Sequence, residues 1–380
     1  MGDWDTVLAR SARPSVFLTR DWVTSWWDSF GQGSEPWLLR VAGETGATLG
    51  LAPLYLGSPP GTARLPIRRL GLIGDHSAGS EYLGLVAQAG YERVVGQAVA
   101  DHLAVARARW DVADLLGLVV GDPAAHALET PLRAGAGRAR ERRQPCSAVT
   151  LPDNFDAYLG GLGSKFRQSY RQRANKLHRT CTVRYLMTTS EADLPAHLKA
   201  LFRMHQAHWT SLGLPGSFAD PRMRRFYLDV TRRLLRSGRL RFWHLEVDGV
   251  IRASQFGFAY NSVLHSLQEG YDTDFRMPGI GGLGVVLRAH AIRSAIEEGL
   301  ASYDFLGGTE EFKRRWGTST SHVRLVRLAS PGVRGALAWM ATVGAEKTRS
   351  RLRSRAPELV VRAVRAARAG RYVHRPADEP

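Results

Sequence analysis

The chain has 380 residues, enough at roughly 100 to 200 residues per domain for two domains of similar size, which excludes a single small module. A hydrophobic fraction of 44% beside 23% charged residues excludes a disordered chain. The formal net charge is +17, and only five of the 52 basic residues are lysine, so the excess points either to a polyanionic partner or to an arginine-rich proteome.

From the N-terminus, MGDWDTVLARSARPSVF holds acidic residues and no apolar core of signal-peptide length, and no stretch reaches about 18 apolar residues, so neither a leader nor a membrane span is expected. Val16 to Phe30 reads as a helix, with Trp22, Trp26, Trp27 and Phe30 at near-helical spacing and Gly31 as its stop. The alternating WLLRVAGETGATLGLAPLYL, then RRLGLIG and EYLGLVA, predict short strands, and Tyr91 to Arg107 returns to helical spacing before the apolar strand WDVADLLGLVV. Cys146 and Cys181 match the spacing of neither a zinc motif nor a redox pair, which suits a reducing cytoplasm.

The second half opens on the basic helical stretch NFDAYLGGLGSKFRQSYRQRANKLHRT, followed by strand TVRYLMTT and two amphipathic helices, Leu194 to Leu212 and Pro221 to Ser237. Asp248-Gly249 and Asn261-Ser262 then sit between alternating apolar runs, the signature of two tight hairpins and three antiparallel strands. Helix Leu283 to Glu298 and strand SYDFLGG complete the order. Trp37-x-Leu39-x-Val41 parallels Trp243-x-Leu245-x-Val247, and the elements after each repeat in order, so one domain is read twice. Boundaries are expected at residues 1–152, 153–330 and 331–380. The last stretch is a basic helical tail carrying Arg349, Arg351, Arg353, Arg355, Arg362, Arg365, Arg368 and Arg371, either solvated or in contact with an anionic membrane or nucleic acid.

The local pattern richest in chemistry is Arg276-Met-Pro-Gly279-Ile-Gly281-Gly282, between a strand ending near Tyr271 and the helix from Leu283. Glycines let a backbone approach an anion closely, and free N–H groups at a helix start hold phosphate. The strands before it are antiparallel, so it is no Rossmann fingerprint, and it lacks the Lys-Ser/Thr of a P-loop. Before the first-half helix, AQAGYERVV has a single glycine, which leaves donor binding to the second half.

This R-x-x-G-x-G pattern resembles the acyl-CoA pyrophosphate loop of the GNAT acyltransferase superfamily. More specifically, PSVFLTRDWVTSWWDSFG, YLGGLGSKFRQSYRQRANKL and GLGVVLRAHAIRSAIEEGLASYDFLGGTEEFKRRWG resemble the CelD/BcsL-type acetyltransferase family, over roughly residues 15 to 330. The resemblance implies an α/β (α+β) fold of tandem GNAT-like domains, each a mixed, largely antiparallel sheet flanked by helices. It also implies N-acylation of a small-molecule or peptide amine, with acyl-CoA bound between splayed strands. Related Fem-type peptidyltransferases take aminoacyl-tRNA as donor, which leaves tRNA as an alternative partner that the net charge and the basic helix favour. A catalytically inert scaffold on the same fold is a third reading.

Such a reaction needs a base for the amine, donors for the developing oxyanion, and orientation. Glu269, read on the same strand face as His265 and Tyr271, is the first base candidate. Asp304 is placed to orient the amine or cap a turn. Lys313, in a stretch similar to the Fem-type F-K-x-x-(F/W)-G, is implied to meet donor phosphate or the reacting carbonyl. His205 and Trp209 on one helix, Tyr271, and the polar loops Gly74-Asp75-His76 and Glu81-Tyr82 are candidates for the acceptor side. His205 and His208 lack the third ligand a metal site requires, and no metal is expected.

Overall fold

A computed structural model of the chain describes residues 4–59, 66–75, 78–275, 282–308 and 311–344. In the first half come helices α1 (Trp4–Ala9) and α2 (Arg20–Phe30), and strands β1 (Glu35–Ala42), β2 (Thr48–Gly57), β3 (Arg69–Leu72) and β4 (Val86–Ala87). Helix α3 (Glu92–Val105), strand β5 (Val112–Val119), helix α4 (Pro123–Ala134) and strand β6 (Arg138–Thr150) complete it. The second half runs α5 (Phe155–Gly161), α6 (Ser164–Thr180), β7 (Val183–Met187), α7 (Leu194–Ser211), α8 (Pro221–Arg236), β8 (Leu240–Val247), β9 (Val250–Tyr260) and β10 (Val263–Tyr271). Helix α9 (Leu283–Glu297), strand β11 (Ser302–Gly307), the single turn α10 (Glu311–Arg314) and strand β12 (Ser319–Ala329) follow, and residues 332–344 are helical.

Local chemistry accounts for the boundaries. The expected helix from Val16 begins at Arg20 instead, because Thr19 turns out of helical geometry and its hydroxyl caps Trp22 N. The basic helical stretch divides at Leu162-Gly163, where extended backbone separates α5 from α6. Helices α4 and α8 each start on an Asp cap followed by proline, Asp122-Pro123 and Asp220-Pro221. Asp248 and Gly249, like Asn261 and Ser262, all have positive φ, as the tight hairpins β8–β9 and β9–β10 require.

Among the described residues, twelve strands form one mixed sheet in the order β1-β2-β3-β5-β12-β6-β11-β10-β9-β8-β7, with β4 paired to β2. The expected duplication is visible in it. Each half lays down an antiparallel hairpin and a third strand, crosses over through a helix, and returns parallel to that third strand, as β3–β5 and as β10–β11. The middle of the sheet was not foreseen from the sequence, which predicted neither α4, β6 nor β12. Strand β12 lies between β5 and β6, pairing with β6 from Ser319↔Ala148 to Ala329↔Arg138, while β6 also pairs with β11. The last strand of the second half therefore completes the sheet of the first, and backbone hydrogen bonds join the two without interruption.

Burial reinforces that joint. Phe17 and Trp22 of the first half pack edge-on against Phe258 and Phe226 of the second, with Trp22 and Phe226 rings 5.1 Å apart. Each such fully buried ring contributes roughly 2–3 kcal/mol over its exposed state. On the other sheet face, a second core of Ala289, Ile292, Tyr303 and Trp316 sits under α5 and α9.

Candidate active site

The parallel pair β10–β11 is in register only from Val263↔Ser302 to His265↔Asp304. Beyond that point β10 bulges between Ser266 and Gln268, and β11 shifts register between Asp304 and Gly307, where Leu306 adopts φ 58°. The strands part there. In the first half the equivalent space beyond β3–β5 is closed, because Leu83 bridges Leu118. The same loop carries Glu81 and Tyr82 toward the open gap of the second half.

Around the end of β11 the chain collects a buried polar cluster. The Asp304 carboxylate accepts from Leu306 N at 2.7 Å, and its other oxygen lies 3.5 Å from His265 Nδ1. Tyr82 is hydrogen-bonded to Asp304 and Cys146, and burial raises its phenol well above the ordinary range. Gln144 Nε2 donates to Glu81 Oε1 at 2.7 Å. Burial, with the Asp304 charge adding to it, raises the Glu81 carboxyl to about 7. Burial and the Glu81 charge push the Cys146 thiol up to about 12, which removes it as a nucleophile at neutral pH. Lys313 is buried, and its ammonium donates to the Gly307 carbonyl. Glu81 and Gln144 press against Gly307 so closely that a Cβ there would stand 2.4 Å from each.

On the opposite sheet face lies a basic cavity of about 720 Å³ between α6, the start of α9 and α10. Lys165, Arg173, Arg288, Arg314 and Arg315 line it, with no carboxylate among its lining residues. At its edge Gly282 holds φ 78° and starts α9 without a side-chain cap, and a Cβ on it would lie 2.7 Å from Arg173 Nη1. An uncapped helix N-terminus under a guanidinium suits an anion. The turn α10 links the two regions: Lys313 points into the cluster, while Phe312, Arg314 and Arg315 face the cavity.

The candidates named from sequence separate on this geometry. Asp304 and Lys313 come together with Glu81 and Tyr82. Glu269 does not join them, and its expected face is corrected. The bulge at Ser266/Gln268 breaks the alternation, so Glu269 pairs with Gln255 while His265 pairs with Phe258, and the two side chains project from opposite faces. Glu269 is instead clamped through both oxygens by Arg288, a buried guanidinium that also stacks 4.9 Å from the Phe312 ring centroid. His205 is buried, accepts from Trp209 Nε1 at 2.9 Å and packs on Phe218, and burial lowers its imidazole to about 4. Tyr271 packs against His208, and none of His205, Trp209 and Tyr271 lines the basic cavity. Gly282 is described as above, whereas Arg276, Gly279, Gly281 and His76 lie outside the described residues. Gln144 escaped the sequence reading, and Cys146 was weighed only for its spacing from Cys181, because strand β6 opens as RARERRQ, with no apolar alternation to mark it. Among the described residues no group of three or more His, Cys, Asp or Glu could hold a metal ion, and no helix is long and apolar enough to cross a membrane.

The comparisons agree with this architecture. Residues 164–314 match the family model described as an acetyltransferase (GNAT) domain. No curated protein sequence matches the chain. The fold is similar to that of FemX, at 12% identity and TM-score 0.61 over 86% of this chain and 95% of that one. It is also similar to a conserved protein of unknown function from Bacteroides thetaiotaomicron, at 14% identity and TM-score 0.56 over 87% and 97% of the two chains. L-PGS from Bacillus licheniformis, at 10% identity, gives TM-score 0.51 over 85% and 95%. Residues 164–314 hold an acetyltransferase (GNAT) domain, and the parted strands β10 and β11 lie within that segment.

Proposed function

We propose that the chain is an N-acyltransferase that moves an acyl group from acyl-CoA to an amine by direct attack, within the CelD/BcsL-type branch of GNAT proteins and in the cytoplasm. In this reading residues 153–330 bind the donor and residues 1–152 shape the acceptor side. The observation that carries it is the acid-free basic cavity beside the uncapped start of α9, next to strands that part. Its volume lies within the 300–1,000 Å³ usual for small-molecule sites. Arg173 and the first turn of α9 would hold the donor's phosphates, and the donor supplies an activated acyl carbonyl with a leaving thiolate.

The chain's own groups supply the rest. Glu81, poised near neutrality, takes the proton that the attacking amine loses, and Gln144 keeps its carboxyl oriented. Lys313 offers a buried cation at the end of β11 for the negative charge that develops on the carbonyl oxygen. Asp304, fixed by Leu306 N and Tyr82, places a carboxylate 3.5 Å from His265 Nδ1.

A second donor, aminoacyl-tRNA, is favoured by one observation: the exposed Arg171, Lys176 and Arg179 extend positive charge along α6 beyond the cavity. Thermal unfolding with acetyl-CoA, longer acyl-CoAs and bulk charged tRNA tests both, since a ligand of the native state raises its stability. Stabilisation by tRNA alone, with a steep salt dependence, replaces the first donor by the second. Stabilisation by none of them leaves a non-catalytic scaffold.

A further inference from the structure

A second cavity, of about 260 Å³, opens between the halves on the sheet face that carries His265. One wall comes from the first half, through Arg13, the loop Tyr82–Leu85, and Glu92 and Asp122 at the starts of α3 and α4. The other comes from the second half, through Tyr260, Val263 and His265 at the β9–β10 hairpin. Its charge contrasts with that of the donor cavity. Two carboxylates face a single guanidinium, that of the exposed Arg13, where the donor cavity holds five cations and no acid.

We infer that this pocket takes the acceptor, and that the acceptor is a small amine carrying two basic nitrogens. This rests on the acyl-transfer reading above. A volume of about 260 Å³ corresponds to roughly nine water molecules at about 30 Å³ each, enough for a short diamine and too little for a folded peptide. The pocket's own lining has one negative centre, and a second carboxylate lies buried behind its other wall. Glu92 and Asp122 form the one in the first half, where burial and the Glu92 charge raise the Asp122 carboxyl against the opposing Arg13 and the first N–H groups of α4, so a further cation is favoured there. The other is Asp304, directly behind His265, whose buried Nδ1 has no hydrogen-bond partner and lies 3.5 Å from the carboxylate. Tyr82, which lines the pocket, is hydrogen-bonded to Asp304, so the floor of the pocket is one side chain from the cluster at the end of β11. One nitrogen held as ammonium by Glu92 and Asp122 leaves the other beside His265 and Tyr82, on the side of the cluster where Glu81 takes its proton and the acyl group is transferred. Tyr82 adds an aromatic ring to the same lining.

The test is calorimetric titration of the intact chain with 1,5-diaminopentane, using n-pentylamine as the one-nitrogen control. The diamine is expected to bind saturably and on the order of 10-fold more tightly than the monoamine, the effect of one added charge contact. Glu92→Gln and Asp122→Asn are each expected to cancel that difference, and Asn keeps the cap on α4, so the second variant also folds. Equal binding of the two amines, no saturable binding of either, or diamine binding indifferent to both variants overturns the inference. Acetyl-CoA is titrated separately. Donor binding without diamine binding removes only this pocket's assignment, and diamine binding without any donor binding removes the acyl-transfer reading and leaves the pocket.

Discussion

Replacing Glu81 by glutamine tests the centre of the site by its thermodynamics, independently of any substrate. The Glu81 carboxyl ordinarily titrates at 4.5 and is raised to about 7 by burial and the neighbouring Asp304 charge. The folded protein therefore holds a proton there that the unfolded chain has released. Stability contributed by this group is fully present below 4.5 and is lost as pH rises to about 7, and the span corresponds to about 3 kcal/mol. Glutamine preserves the shape and still accepts from Gln144 Nε2, so Glu81→Gln should gain about 3 kcal/mol on the wild type between about pH 5 and about pH 8. Buried His205 and His244 and half-buried His290 are all pushed down by desolvation and act in the opposite sense, raising stability with pH, so the difference between the two proteins is the quantity to read. Urea denaturation at the two pH values measures it. Equal pH slopes for wild type and variant would refute the reasoning, because Glu81 would then be neither desolvated nor close to Asp304.

Other outcomes follow from the same geometry. In turnover, the wild type should lose kcat/KM as pH falls below about 7, and Glu81→Gln should lose that limb together with roughly 100-fold in rate, as read from pH–rate profiles. Glu269→Gln leaves the buried Arg288 charge without its partner and should destabilise by about 3 kcal/mol in chemical denaturation, with the pH limb unchanged. A lost limb in that variant would return the base assignment to Glu269. Gly307→Ala places a methyl 2.4 Å from Glu81 Oε1 and Gln144 Nε2, so kcat should fall while acetyl-CoA affinity holds, measured by steady-state kinetics beside titration. Arg173→Ala should weaken donor binding about 10-fold by calorimetry, and an unchanged affinity would move the phosphate site away from α9.

Much of the second half was legible because its signals are short-range. Asp248-Gly249 and Asn261-Ser262 demand positive φ within two residues, and the apolar spacing of α7, α8 and α9 is set within a few turns. Asp304 and Lys313 stood out for similar reasons, one on a strand of known alternation and the other as a rare lysine beside a buried tryptophan. Glu269 shows where alternation fails: a bulge two residues earlier inverts the face of every side chain after it, and nothing in V-L-H-S-L-Q-E-G-Y announces the bulge.

Residue order alone determined the α/β class, the duplicated run of elements, a basic helical stretch and a separate glycine-rich segment ahead of a helix, since each follows from propensity, turn chemistry and periodicity over neighbouring residues. Only the tertiary structure decided that β12 and β6 cross between the halves, that Leu83 closes one pair of parting strands while the other stays open, and that Glu81 arrives beside Asp304 from more than 200 residues away. Pairing between distant strands is chosen by hydrogen bonding and burial summed over the whole sheet. The raised carboxyl of Glu81 is a property of the surroundings that this assembly builds around it.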